Sequence, residues 1–116
     1  FDVAIALSGV YDARFFTKEF HGDHAVYFNS PIDYLYNQHD SWFLDRYRQN
    51  HYIVAVGQGA WEEQHIADTA RLKQAFADKG IEGWFDFWGK DVDHDWPWWR
   101  VQMPYFLGKL EEQGII

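Results

Sequence analysis

Two short apolar runs constrain the fold of this 116-residue chain more than any other sequence feature. Residues 1–7 are FDVAIAL and residues 51–56 are HYIVAV, and neither run alternates strictly between apolar and polar side chains. Such runs are typical of strands that are covered on both faces, as in a parallel sheet. A third run, residues 81–88, predicts another strand, with Phe85 and Phe87 on one of its faces. The sequence therefore predicts about three parallel strands.

Hydrophobic spacing predicts two long helices. The first covers about residues 62–79, where small and apolar side chains recur at helical intervals. These core positions are Ile66, Thr69, Leu72 and Phe76. The second begins at Pro97, and its predicted buried stripe contains Met103, Phe106, Leu107 and Leu110. Pro104 lies inside this helix, and because proline lacks a backbone N–H, we expect a kink or a break near residues 100–103.

Residues 12–50 are less regular, with a short helix predicted within residues 12–20 and another over about residues 42–49, capped by Asp40. A long aromatic segment between two strands is typical of a lid or an insertion. We therefore expect an α/β fold with flanking helices and right-handed crossovers. It would form a single domain over residues 1–116, in which residues 12–50 are a lid-like insertion.

Polar side chains follow each predicted strand at its carboxyl end, the edge at which open α/β sheets bind ligands. They are Ser8 and Asp12, then Gln58, Glu62 and Glu63, and finally Asp91, Asp93, His94 and Asp95. His94 is a candidate general base, because a carboxylate from the neighbouring loop, either Glu62 or Glu63, would orient its ring.

Two other interpretations of residues 91–95 remain open. The alternating aspartates form D-x-D-x-D, the opening of a calcium loop. However, Trp96 and Gln102 stand where that loop needs a glycine and a glutamate. In the second interpretation the aspartates are solvated loop residues, Asp95 caps the following helix, and the histidine is a half-buried structural residue.

Other candidate groups carry weaker signals. Ser8 is a poor candidate nucleophile, because residues 7–9, LSG, lack the glycines of the G-x-S-x-G elbow. The five remaining histidines share no metal-ligand spacing, so we expect them to be structural or surface groups. They are His21, His24, His39, His51 and His65.

Composition argues against several partner classes. The net charge of −8, from 10 Lys and Arg against 18 Asp and Glu, disfavours nucleic acid and anionic membrane surfaces. The chain has no cysteine, which excludes disulfides and thiolate metal sites within it and fits a cytoplasmic location. No run approaches the roughly 20 apolar residues that cross a bilayer. We predict neither a cofactor nor a bound metal.

Four segments of the chain, in order, closely resemble the C-terminal half of an esterase family of α/β-hydrolases. The family is related to esterase D-like enzymes, feruloyl esterases and mycolyltransferase-type proteins. The segments are residues 1–12 (FDVAIALSGVYD), 26–35 (VYFNSPIDYL), 53–63 (IVAVGQGAWEE) and 91–107 (DVDHDWPWWRVQMPYFL). Within the last segment, the sequence HDWPWWR of residues 94–100 is the most specific part of the resemblance.

The resemblance implies the roles of the site residues. His94 would be the catalytic histidine, and the acid after the second strand would be Glu62, with Glu63 as the second choice. The substrate pocket would be lined by Trp61, Trp96 and Trp98. The nucleophile elbow and the oxyanion-hole donors of the family precede its corresponding first strand, and neither motif occurs in these 116 residues.

The resemblance implies that residues 1–116 are a partial α/β-hydrolase domain that lacks the N-terminal half with the nucleophile elbow. The implied function is that of the C-terminal portion of a serine esterase or acyl hydrolase that acts on a small ester. We expect the chain alone to be inactive, and the open edge of its first strand to pair with the N-terminal half or with a second copy. The alternative is a non-catalytic binding module with an aromatic-rich surface. A hydrogen-bonded pair of His94 and a glutamate would favour the enzyme, and a solvent-facing histidine would favour the module.

Overall fold

The computed structural model describes residues 2–13, 27 and 30–116, and these fold into a parallel sheet with helices on both faces. Its strands are β1 (Val3–Leu7), β2 (His51–Val56) and β3 (Trp84–Phe87), hydrogen-bonded in that order. Both pairings are parallel, so the three strands end at the same edge of the sheet. The predicted α/β class with three parallel strands is confirmed.

Four helices occur in the described part of the chain. They are α1 (Pro31–Tyr36), α2 (Ser41–Arg48), α3 (Glu63–Asp78) and α4 (Trp96–Glu112). Helix α2 begins where predicted, because the Asp40 carboxylate accepts a hydrogen bond of 2.9 Å from the backbone N–H of Trp42. Helix α1 lies between the two helices predicted within residues 12–50, where no helix was predicted. None of these helices is long and apolar enough to cross a membrane.

The predicted lid-like insertion at residues 12–50 is described only in part. The expected helix within residues 12–20 falls mostly outside the described residues, as do His21 and His24. Of the described portion, α1 packs against α3 on one face of the sheet. The lid role of this segment and the partial domain over residues 1–116 stay predictions.

The position of strand β2 in the sheet explains why its residues 53–56 are all apolar. Val54 points to the face covered by α1 and α3, whereas Ile53 and Ala55 point to the face covered by α4. Both faces are therefore closed to water, and polar residues at alternate positions would be buried without partners. The first core contains Ile32, Leu35, Leu72, Ala75 and Phe76, and the second contains Phe106 and Leu110.

Helix α4 corrects two predictions about its sequence. A kink or a break was expected near residues 100–103. The helix runs unbroken through Pro104, so the break is wrong and the kink stays a prediction. Pro104 and Arg100 both lie on the exposed side, where water can bond to the carbonyl that the proline leaves without an N–H. The buried face is Gln102, Phe106 and Leu110, whereas Leu107, predicted to be buried, is 43% exposed.

The buried face of α4 gives a test of its register. Phe106 is completely buried against Trp84 and Trp88, so Phe106→Ala should lower the free energy of unfolding by about 3–5 kcal/mol. Leu107→Ala, one position further along the same helix, should change it by about 0.5 kcal/mol or less. Urea denaturation of both variants measures the difference. Equal losses would mean that the predicted stripe, and not the observed one, is correct.

Candidate catalytic site

A buried carboxylate links the loops that follow β2 and β3. Glu62 lies at the N-cap of α3 and is fully buried, and its Oε1 atom is 2.8 Å from Nδ1 of His94. Because a carboxylate only accepts hydrogen bonds, the His94 Nδ1–H is the donor. The bond therefore fixes both the orientation and the tautomer of the ring, and leaves Nε2 as the nitrogen that can take up a proton.

The second oxygen of the same carboxylate is also fully used. Glu62 Oε2 accepts a hydrogen bond of 2.9 Å from the Ser8 hydroxyl and another of 2.9 Å from the backbone N–H of Gly57. Ser8 follows β1, Gly57 ends β2, and the histidine follows β3. One carboxylate thus receives donors from the ends of all three strands, which compensates for the cost of its burial.

The His94 ring is held on two further sides. The imidazole of His65, in the first turns of α3, stacks on it with ring centroids 4.1 Å apart and planes 5° from parallel. The Trp99 ring contacts its edge, with centroids 4.9 Å apart. His65 is itself oriented, since its Nδ1 donates to the Gly9 carbonyl over 3.1 Å. The side chain of His94 keeps 30% of its surface exposed, so it remains accessible from solvent.

Glycines let the loops after β2 and β3 approach closely enough for this bond. A Cβ atom on Gly57 would lie 2.2 Å from the Val92 carbonyl oxygen, and one on Gly59 would lie 2.2 Å from Asp93 Oδ1. Backbone bonds join the loops: the Gly59 N–H donates to the Val92 carbonyl over 2.8 Å, and the His94 N–H donates to the Ala60 carbonyl over 2.9 Å.

The loop after β1 is anchored to α3 by a second buried carboxylate. Asp68 accepts bonds from the backbone N–H groups of Tyr11, at 2.9 Å, and Asp12, at 3.2 Å. Its other oxygen accepts a bond of 2.8 Å from the Gln64 side chain. Asp12 in turn forms an ion pair of 3.0 Å with Arg71. These contacts fix the position of the loop that begins at Ser8.

The other residues that the sequence predicted for the site differ in how far their side chains are exposed to solvent. Glu63 opens α3 with an exposed side chain. Trp61 is 85% exposed and has a φ of 65°, which is unusual for a residue with a side chain. Trp96 is also largely exposed and contacts Trp99. Trp98 is half-buried and lines an open pocket whose other walls include Asp86, Trp88 and Tyr105.

The aspartates near His94 bond to neighbouring backbone. Asp93 accepts a bond of 2.8 Å from the Ala60 N–H, and Asp95 caps α4 by accepting from the Trp96 N–H over 2.7 Å. In the described part of the chain, no three histidine or carboxylate side chains are grouped so that they could hold a metal ion. The capping role of Asp95 is confirmed.

Sequence reasoning missed three residues that contact the Glu62–His94 pair. His65 was expected to be a structural or surface group, Trp99 was assigned no role, and Ser8 was considered only as a nucleophile. For His65 a signal existed, because it follows Glu62 by three positions and therefore shares its side of the first helical turn. For Ser8 no such signal was available, since its contact spans 54 positions of sequence.

Comparison with known proteins agrees with this architecture. A solved structure described as a ferulic acid esterase aligns with 89% of this chain at a TM-score of 0.66 and 20% sequence identity. No family model and no curated protein sequence matches the chain. The chain therefore shares the fold of part of that structure, which agrees with the partial esterase-like fold that the resemblance implied. It spans 38% of the length of the esterase structure that it matches.

Tyr11, in the loop after β1, gives a pH-dependent test of the packing beside the site. Burial raises its pKa from 10.0 to about 12. The Tyr11 hydroxyl therefore loses its proton at a lower pH in the unfolded chain than in the folded protein. The contribution of the buried Tyr11 to the free energy of unfolding is complete below pH 10 and is lost as the pH rises to 12. At about 1.4 kcal/mol per pH unit, the loss amounts to roughly 3 kcal/mol. Urea denaturation between pH 9 and pH 12 should show that the free energy of unfolding falls less in Tyr11→Phe than in the wild-type protein. The same dependence on pH in both proteins would contradict the burial of Tyr11.

Proposed function

We propose that this chain supplies the histidine and the carboxylate of the catalytic triad of a serine esterase or related acyl hydrolase. The observation that carries the proposal is the 2.8 Å hydrogen bond between Glu62 and Nδ1 of His94 at the carboxyl edge of the sheet. A histidine that acts as a general base needs a free Nε2 atom and an Nδ1 atom that is hydrogen-bonded to a carboxylate. His94 meets both requirements.

The proposed reaction proceeds in two acyl-transfer steps. His94 Nε2 takes the proton of a serine hydroxyl as that oxygen attacks the ester carbonyl, and the buried Glu62 carboxylate stabilises the resulting imidazolium. The histidine then gives the proton to the departing alcohol, which leaves an acyl-enzyme. A water molecule, activated by the same nitrogen, releases the acid and restores the serine.

The nucleophilic serine of this mechanism is proposed to lie on a strand beside β1. Within the described residues β1 pairs only with β2, so its other edge is open to a further strand. In the family that the sequence resembles, the nucleophile elbow precedes this strand. The same edge would suit a second copy of the chain, and we propose one of these two pairings as the natural partner of β1.

The alternative of a non-catalytic binding module has less support. That alternative predicted a histidine that faces solvent without a carboxylate partner. A buried carboxylate is stable only when hydrogen-bond donors surround its oxygens. Such a set of donors around Glu62 is not expected if the residue has no function. The exposed aromatic side chains of α2, Trp42 and Phe43, are compatible with either function.

The proposed substrate is a small ester that carries an aromatic group. Trp61 and Trp96 are both exposed. Trp61 follows Ala60, whose carbonyl accepts a hydrogen bond from the His94 N–H. Trp96 contacts Trp99, which packs against the His94 ring. Flat apolar side chains at such a position favour planar apolar ligands. The matched structure is described as a ferulic acid esterase, and ferulic acid is aromatic. Trp98 lines a different open pocket, with Asp86, Trp88 and Tyr105, and its part in substrate binding stays a prediction of the resemblance.

Substitutions of the pair test the proposed mechanism in the full-length protein. His94→Ala should lower kcat for a p-nitrophenyl ester by roughly 10⁵-fold or more, because it removes the general base. Glu62→Gln should lower kcat by about 10⁴-fold, because it no longer stabilises the imidazolium. Glu63→Gln is the matched control and should change kcat little, since that side chain is exposed. Unchanged hydrolysis in His94→Ala would exclude the proposal.

The 116-residue chain purified alone provides two controls for the same experiment. It should hydrolyse no ester, because the proposed nucleophile is not part of it. In sedimentation it should form species heavier than its own 13.9 kDa, because the open edge of β1 favours pairing. Ester hydrolysis by the isolated chain that survives His94→Ala would assign the activity to different groups.

Trp61→Ala and Trp96→Ala test the proposed aromatic substrate. Each should raise KM for an ester of an aromatic acid by roughly two- to tenfold, since an aromatic contact is worth about 0.5–1.5 kcal/mol. KM for the corresponding acetyl ester should stay the same. Steady-state kinetics with the two substrates measures the ratio, and a matched change for both esters would argue against an aromatic subsite.

A further inference from the structure

We propose that Ser8 is a positioning residue that holds the carboxylate of Glu62 in the orientation required by His94. The inference rests on the proposed triad and adds to it a residue from a third strand end. Its basis is the hydrogen bond of 2.9 Å from the Ser8 hydroxyl to Glu62 Oε2, with both side chains buried. The role is distinct from that of a nucleophile.

The two oxygens of Glu62 have separate partners, and this separation makes the serine important. Oε1 faces His94, while Oε2 is shared by the Ser8 hydroxyl and the Gly57 N–H. The torsion that turns a glutamate carboxylate is broad, so a single donor restrains it weakly. Two donors that converge on Oε2 from different strands define the carboxylate plane, and thereby the direction in which Oε1 points.

The backbone of Ser8 indicates that the hydroxyl is required there. Its φ of 50° lies in the left-handed region, where glycine is favoured and a residue with a side chain is strained. The conformation is enforced from both sides. The Ser8 N–H donates to the Ala55 carbonyl over 2.8 Å, and Asp68 accepts from the backbone N–H groups of Tyr11 and Asp12. Glycine would suit this backbone but would supply no hydroxyl.

The same geometry argues against Ser8 as the nucleophile. Its hydroxyl donates its proton to the carboxylate, whereas an attacking serine must donate to Nε2 of the histidine. His94 turns Nδ1 towards Glu62, so Nε2 lies on the other side of the ring from this hydroxyl. Only 6% of the surface of Ser8 is exposed, so a substrate carbonyl has little access to it.

The test begins with the proton on His94 Nδ1, which gives a downfield NMR resonance when it is bonded to a carboxylate. The full-length protein should show this resonance, and Glu62→Gln should remove it. Ser8→Ala and Ser8→Gly should both shift or broaden it, because both lack the hydroxyl. Ser41→Ala, at an exposed serine that opens α2, is the matched control and should leave the resonance unchanged.

Kinetics supply the second readout. Ser8→Ala and Ser8→Gly should each lower kcat by roughly 10- to 100-fold, the scale expected when a catalytic group is misplaced, with KM unchanged. The two variants differ in backbone strain, since only the alanine keeps a side chain at positive φ. Ser8→Gly should therefore melt no lower than Ser8→Ala. Equal kcat losses with unequal melting temperatures would assign the effect to the hydroxyl and not to stability.

Three results would overturn the inference. A wild-type protein without the downfield resonance would exclude the bond between Glu62 and His94, and with it both the proposed triad and the role of Ser8. A normal resonance and normal kcat in Ser8→Ala would exclude the positioning role alone and leave the triad intact. Labelling of Ser8 by a fluorophosphonate, located by mass spectrometry, would make it the nucleophile instead.

Discussion

The buried carboxylate of Glu62 is the interaction on which the candidate site depends. It bonds to the Ser8 hydroxyl, the Gly57 N–H and the His94 ring, so it connects the ends of all three strands. A buried carboxylate that loses a donor is destabilised by more than the strength of an ordinary surface bond. The sheet must therefore keep its register and its loop spacing for the site to exist, and the site in turn ties together loops that are distant in sequence.

Packing on the two faces of the sheet sets that spacing. Strand β2 lies between α3 and α4, and its apolar side chains alternate between the two cores. Helix α3 contributes more than packing, because Glu62 is its N-cap, His65 lies in its first turn, and its buried carboxylate Asp68 anchors the loop after β1. The close contact at Gly57 then brings the last two loops together. Helix α3 therefore contributes both to the packing of the core and to the candidate site.

Sequence patterns were reliable where one local signal decided the outcome. The apolar runs placed the strands, and Asp40 and Asp95 began their helices as capping residues do. They were unreliable where the surroundings decided. Pro104 was expected to kink or break α4, but the helix continues through it, because its position on the exposed side lets water replace the lost bond. The buried stripe also differed from the predicted one, since the sheet selects Gln102 over Leu107.

The amino-acid sequence was sufficient to predict the class of fold, the edge at which polar groups gather, and the candidates His94 and Glu62. These follow from strand periodicity and chain order, which are local properties. Three-dimensional packing was needed to show that Glu62, and not Glu63, bonds to His94, because Glu62 is buried within bonding distance and Glu63 faces solvent. It also decided the contact of Ser8 with that carboxylate. Such a contact depends on strand register and loop packing, and neither is encoded in the spacing of neighbouring residues.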